Sequence, residues 1–229
     1  MKVITHTVKN KDEVFRLLTE KNFAKEEKVF LLIFAPLSVL NSSFSKEIKK
    51  RISFDFVAVS TKAVINDSSF KENYIQLSFF IFEKNGFVKL SFKEEISTNK
   101  ANTVSFLEEK LSGSKTNIIF STASNEVLNE ILDKMKIKKE KNIFVGGIAS
   151  SKSRNFTTKI ICNGFSIKNG FVLIQFFNVL SFFTVSLGFI PVGPSYKITR
   201  ADLNKVYEID GMSPYFFLEK ILRDTGLRP

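Results

Sequence analysis

The chain has 229 residues, 44% hydrophobic and 25% charged, with 26 Phe and no Trp. That length buries a sizeable core, and the composition excludes a disordered tail, a collagen-like fibre and a coiled coil. The net charge of +11 comes from 28 Lys and 6 Arg against 23 acidic residues. It is spread along the chain, with +4 over residues 1–50 and +5 over 151–229. Arg, the residue suited to base readout and bidentate phosphate contacts, is scarce, so no nucleic-acid partner is expected. The densest basic run, Lys134–Lys141, closes a predicted helix. Cations are favourable there, and the run reads as a solvated helix end.

In chain order, Val3–Val8 alternates like a strand. A helix capped by Asn10 follows through Phe23, with Val14, Leu17, Leu18 and Lys21 at helical spacing. The apolar run Val29–Phe34, stopped by Pro36, reads as a strand buried on both faces. A short amphipathic helix, Ser43–Ile52, and a strand, Phe54–Ser60, complete a βαβαβ pattern with some parallel pairing. Tyr74–Phe82 and Phe87–Phe92 flank Glu83-Lys84-Asn85-Gly86, the signature of a hairpin. Helices at Asn102–Leu111 and Asn125–Met135 enclose a strand at Asn117–Ser121, and a short strand at Asn142–Val145 leads into Gly146-Gly147.

From Phe156 the pattern is antiparallel: strands at 156–162, 165–167, 171–177, 182–188, 196–201 and 205–209. Asn163-Gly164, Asn169-Gly170 and Asn204-Lys205 mark turns. A last helix, Pro214–Asp224, starts behind Ser213, with Pro at its first position. The expected fold is mixed α/β (α+β), a layered helix–sheet sandwich forming one domain over 1–229. Residues 169–196 carry no charge, and Phe171–Val192 is long enough to cross a membrane. Gln175, Asn178, Gly188 and Pro191 interrupt it, and its Phe, Val and Ile favour strands, so two buried strands are expected and no membrane span.

Catalytic signatures are missing. There is no Walker loop, dinucleotide fingerprint or nucleophile elbow in the sequence. The single histidine, His6, lies in the opening strand, and Cys162 reads as a small buried hydrophobe. No Cys/His spacing suggests a metal site, one cysteine forms no internal disulfide, and Met1–His6 lacks the pattern of a signal peptide. These features predict a cytoplasmic protein that is not an enzyme and holds no cofactor or metal.

Six sequence elements then carry a resemblance. They are Val57-Ala58-Val59-Ser60-Thr61-Lys62-Ala63, Phe144-Val145-Gly146-Gly147-Ile148-Ala149 and Ile161-Cys162-Asn163-Gly164. Gly188-Phe189-Ile190-Pro191-Val192-Gly193-Pro194, Ile198-Thr199-Arg200-Ala201 and Tyr207-Glu208-Ile209-Asp210-Gly211-Met212-Ser213-Pro214 follow. In this order, over 57–222, they resemble the N-terminal FIST domain, named for F-box and intracellular signal transduction proteins. Ala58 and Ala63 stand where that family usually has Gly, and Ser213-Pro214 departs from its usual Pro-Ala. The usual C-terminal FIST half is expected to be absent.

The resemblance implies a cytoplasmic sensory domain that binds a small ligand, an amino acid being the usual suggestion. It implies regulation of a signalling partner: a kinase, a cyclase, a chemotaxis component or a C-terminal FIST half. The side-chain-poor loop of Gly188, Pro191 and Gly193, together with Gly146 and Gly147, would expose backbone groups to a ligand. Ser60, Thr61 and Thr199 would add hydroxyls, Asn163 its amide, and Asp210 an anionic acceptor for an amine. Two alternatives accompany this reading: a protein–protein scaffold without a small ligand, and a haem-binding gas sensor using His6.

Overall fold

Continuous apolar runs become central strands here, because both of their faces are covered. The computed structural model describes residues 1–21, 28–66, 69–83, 85–111, 114, 116–135, 143–152, 157–182, 194–202 and 205–224. The chain divides into two compact units, Met1–Phe183 and Thr184–Pro229. The first opens with β1 (Lys2–Val8), α1 (Lys11–Glu20), β2 (Lys28–Ala35), α2 (Ser42–Arg51) and β3 (Asp55–Ser60). Then come β4 (Ala63–Asn66), β5 (Ser69–Glu72), β6 (Ile75–Phe82), β7 (Phe87–Lys93) and α3 (Lys100–Leu111). They are followed by β8 (Thr116–Ser121), α4 (Asn125–Lys134), β9 (Ile143–Ile148), β10 (Ile160–Cys162), β11 (Phe165–Ile167) and β12 (Phe171–Phe177).

Two sheets carry this unit, with strand orders β1-β6-β2-β3-β10-β11 and β7-β12-β8-β9. Side chains alternate across each strand and sort into three apolar layers. Leu31, Ile33, Phe56, Ala58, Leu77 and Phe79 face α1 and α2, meeting Val14, Leu18, Phe44 and Ile48. Phe30, Leu32, Val57 and Val59 face the other sheet, meeting Val172, Ile174 and Phe176 of β12. Phe171 and Leu173 face α3 and α4, meeting Leu107, Leu111, Leu128 and Ile131. The order of layers is helices, six-stranded sheet, four-stranded sheet, helices. Much of the phenylalanine fills the inter-sheet layer: Phe34 meets Phe120 edge-on at 5.5 Å, and Phe80 lies 5.6 Å from Phe176.

Local chemistry sets the helix starts. The Asn10 side chain accepts the Glu13 N–H at 2.9 Å while Glu13 accepts the Lys9 N–H at 2.9 Å, a reciprocal cap. Asn41 caps α2 by accepting the Phe44 N–H at 2.8 Å. Gln175, an apparent interruption of the charge-free stretch, is fully buried in β12. Its amide donates to the Lys110 carbonyl at the end of α3 (2.6 Å) and to Ser114 Oγ (3.1 Å). No helix among the described residues is long and apolar enough to cross a membrane, and 171–177 is a buried strand.

The mixed α/β, layered expectation holds, and β2–β3 pair in parallel as the βαβαβ start predicts. Four details differ. The β6–β7 hairpin does not form: β6 lies between β1 and β2, and β7 pairs with β12 in the other sheet. The apolar residues of β6 fall on both faces, which a central position buries, whereas the half-exposed β7 suits an edge. Asn169-Gly170, likewise, is no hairpin turn; it carries the chain from β11 in one sheet to β12 in the other. Gly146-Gly147 do not follow a strand but lie inside β9, paired in parallel with Ile119 and Phe120. A hairpin, β4–β5, was not expected from periodicity. The strand expected over 182–188 lies almost wholly outside the described residues.

The second unit comprises β13 (Ile198–Asp202), β14 (Lys205–Ile209) and α5 (Pro214–Asp224). β13 and β14 pair antiparallel with register shifts near Arg200. Every residue of β13 is exposed, and Phe217 is the one buried residue of α5, its ring 4.6 Å edge-on from Tyr196.

Candidate functional site

Both parallel pairs, β2–β3 and β8–β9, end toward one region of the first unit, and the carboxyl ends of parallel strands are where crevices open in α/β sheets. Here the sheets are stitched together. The Ala149 N–H reaches the Ser121 carbonyl at 2.8 Å, and the Ser150 N–H reaches the Ser60 carbonyl at 2.9 Å. The segment after β9 therefore bridges one sheet to the other. Ser60 is buried and closes its own side: its N–H donates to the Lys159 carbonyl (2.9 Å), and its Oγ accepts the Lys159 N–H (3.0 Å).

Over this bridge lies a cavity of about 430 Å³. Ile148–Ser151 line it on one side and Thr122–Asn125, the turn into α4, on another. Lys62 and Thr158 complete the lining. Several hydroxyls are already engaged as acceptors. Ser150 Oγ accepts the Lys62 N–H at 3.2 Å, and Ser124 Oγ accepts the Val127 N–H at 3.5 Å as the α4 cap. Thr122 Oγ1 accepts the Gly170 N–H at 3.0 Å and donates to the Gly170 carbonyl at 3.2 Å. Ser150 and Ser124 keep their protons as donors toward the cavity's contents. The Lys62 side chain is exposed and has no carboxylate partner among the described residues.

None of the described residues expected to bind a ligand lines this cavity; Ser60-Thr61 lead into Lys62, and Gly146-Gly147 lead into Ile148–Ser151. Thr61 Oγ1 donates to the Ala63 carbonyl at 2.7 Å. Gly146 is required by packing, since a Cβ there would stand 1.8 Å from the Ile119 carbonyl oxygen. A Cβ on Gly147 would meet nothing within 4 Å.

Asn163 sits at the other end of β3, about 17 Å away by strand rise. With φ 47° it forms a two-residue hairpin with Gly164 (φ 93°), joining β10 to β11. Its Oδ1 accepts the Phe56 N–H at 2.8 Å and its Nδ2 donates to Asp55 at 2.7 Å. Thr199 and Asp210 lie in the second unit. Thr199 Oγ1 donates to Glu208 at 2.7 Å, and Asp210 accepts the Lys197 N–H at 3.1 Å. Gly188, Pro191 and Gly193 lie outside the described residues.

Sequence reading missed Lys62, Thr122, Ser124, Asn125, Ser150, Ser151 and Thr158 as lining residues. One signal was present: a strand ending in Ser121-Thr122-Ala123-Ser124-Asn125 and running straight into a helix. The remaining nucleophile and base candidates lie elsewhere. Burial, with Asp55 adding to it, pushes the Cys162 thiol up to about 12, as befits a core hydrophobe. Partial burial and then Lys21 lower His6, which packs edge-on against Phe79. Among the described residues no group of three or more His, Cys, Asp or Glu is placed to hold a metal ion.

The model of the FIST N domain matches residues 13–212, which take in both sheets of the sandwich except β1, and the β13–β14 pair. The chain belongs to the FIST N domain family. This is a family of sensory domains in signal transduction. An uncharacterized protein of Aquifex aeolicus (strain VF5) is 31% identical over 152 residues, which cover 62% of this chain and 56% of that protein. The chain thus spans little more than half the length of this relative. No solved structure matches it. The FIST match begins well before residue 57, where the motif resemblance starts, so α1 and β2 belong to the family domain too.

Proposed function

We propose that this domain is a cytoplasmic sensory input that binds a small ligand in the Lys62–Ser150 cavity and passes its occupancy to a signalling partner. The observation that carries the reading is a hydroxyl-lined cavity at the carboxyl ends of two parallel strand pairs, with donors left over. Ligand contact there bears on Ser150 and Ser60 together, and so on both sheets. The partner is a kinase, a cyclase, a chemotaxis component or a C-terminal FIST half. The second unit offers it a surface: Tyr215, Phe216 and Leu218 of α5 are 72%, 64% and 57% exposed. The same exposed residues favour the scaffold reading, in which partner docking occurs without a ligand. The haem alternative gains nothing from this geometry, since His6 is not among the cavity's lining residues.

The test is thermal unfolding against a panel of amino acids, organic acids, sugars and nucleosides, with Thr158→Trp as a plug. At a hundredfold excess over Kd a true ligand adds roughly 2.7 kcal/mol, or about 5 °C or more in a chain this long. Stabilisation of the wild type that the plug abolishes is expected. No stabilisation by any compound, or stabilisation that survives the plug, overturns the reading.

A further inference from the structure

We infer that the cavity recognises its ligand through an oxyanion, a carboxylate or phosphate group, and discriminates against ligands bearing an ammonium group. The inference rests on the cavity being a ligand site, as proposed above, and concerns only what that site selects.

Among the described residues the lining carries one formal charge, the Lys62 ammonium, and no Asp or Glu. The next cation along the chain from the cavity floor, Lys152, is already neutralised by Glu72 at 2.5 Å. Lys62 has no such carboxylate among the described residues, so an incoming anion meets an uncompensated charge. The hydroxyls point the same way. Ser150 and Ser124 each accept a backbone N–H, which leaves their O–H protons as the groups to offer. Such a site supplies donors to an acceptor. An ammonium entering it would lose hydration and gain no carboxylate, a costly exchange.

Glu126 and Asp210 do not change this. Glu126 follows Asn125 in the first turn of α4 but does not line the cavity. Asp210, the acceptor expected for an amine, lies in the second unit, where it receives the Lys197 N–H. An amino acid's carboxylate therefore finds a cation and hydroxyl donors here, while its ammonium finds no carboxylate among the described residues. The volume, about 430 Å³, suits a small organic acid or phosphate ester.

The experiment compares matched probes by isothermal titration: succinate, its uncharged diamide, aspartate, glycerol 3-phosphate and glycerol. The proteins are the wild type, Lys62→Met and, as a control, Lys152→Met. Lys62→Met keeps the main-chain N–H that bonds Ser150 and removes an exposed side chain, so folding is retained. We expect succinate or glycerol 3-phosphate to bind at least tenfold more tightly than its uncharged counterpart and than aspartate. Affinity should fall with added salt, drop at least tenfold in Lys62→Met and hold in Lys152→Met. Which of the two binds tells carboxylate from phosphate. Equal or tighter binding of aspartate or of a neutral probe, blocked by Thr158→Trp, overturns this inference and leaves the cavity reading standing. Anion binding unaffected by Lys62→Met overturns it as well. Binding by none of these probes, nor by any compound of the wider panel, overturns both readings.

Discussion

At the carboxyl end of β3, Ser60 and Thr61 lead into Lys62, beside a cavity of about 430 Å³. At its amino end, Asp55 and Phe56 are tied to Asn163 by bonds of 2.7 and 2.8 Å. A smaller hollow of about 300 Å³ lies there, lined by Lys49, Ile52–Phe56 and Asn163. Both ends carry Ser, Asn and Lys. At the Asn163 end the amide serves the hairpin, and the Lys49 side chain packs against Gly164 and over the Phe165 ring. At the Lys62 end the charge and two hydroxyl protons have no acceptor among the described residues. The difference lies in the hydrogen-bonding capacity left at each end, not in residue type or motif.

Substitutions at four positions break or sharpen this contrast. Gly146→Ala has the largest expected effect, because the clash is with backbone and cannot be relieved by a rotamer. We expect a loss of about 3 kcal/mol or more, read as a shift of the urea midpoint, together with loss of ligand binding as β8 and β9 separate. Asn163→Ala comes next. It removes two hydrogen bonds and places Ala at φ 47°, which should cost about 2 kcal/mol. Ligand affinity at the Lys62 cavity should stay unchanged, since Asn163 does not line it. Asn163→Gly should recover part of that loss by relieving the backbone alone.

Ser60→Ala leaves the partly buried Lys159 N–H without its hydroxyl acceptor and should cost about 1 kcal/mol. Like Asn163→Ala, it should leave binding unchanged, because the Ser150 bridge rests on the Ser60 main-chain carbonyl, which Ala keeps. The smallest effect concerns pH. Hydrogen bonds from Lys100 and Lys134 hold Glu130 down to about 2 against an ordinary 4.5. The folded state thus favours the carboxylate, and its contribution is present above about 4.5 and lost as pH falls toward 2. Glu130→Gln should flatten that acid limb of the Tm profile slightly, since the group is exposed. A carboxyl NMR titration of Glu130 checks the value directly.

Much of the fold was legible, and the reasons are local. The run Val29–Phe34 could only be a doubly covered strand, and Asn163-Gly164 supplies the two positive φ values of its hairpin. Pairing partners were harder. β6 and β7 are joined by a good hairpin sequence, yet β6 needs neighbours on both edges and β7 does not. The site was half legible. Ser60 and Gly146-Gly147 lie just before the strand ends that the cavity adjoins, but the residues that line it are those that follow them. Ser124 and Asn125 read as an ordinary helix start, because a cap and a cavity wall use the same residue types.

The most direct test is backbone NMR of the labelled protein titrated with succinate and, separately, with glycerol 3-phosphate. Shifts confined to Lys62, Thr122–Asn125 and Ser150–Ser151, with Asp55, Phe56 and Asn163 unmoved, are the predicted result. Shifts centred on the Asn163 end, or none at either end with any probe, would contradict it.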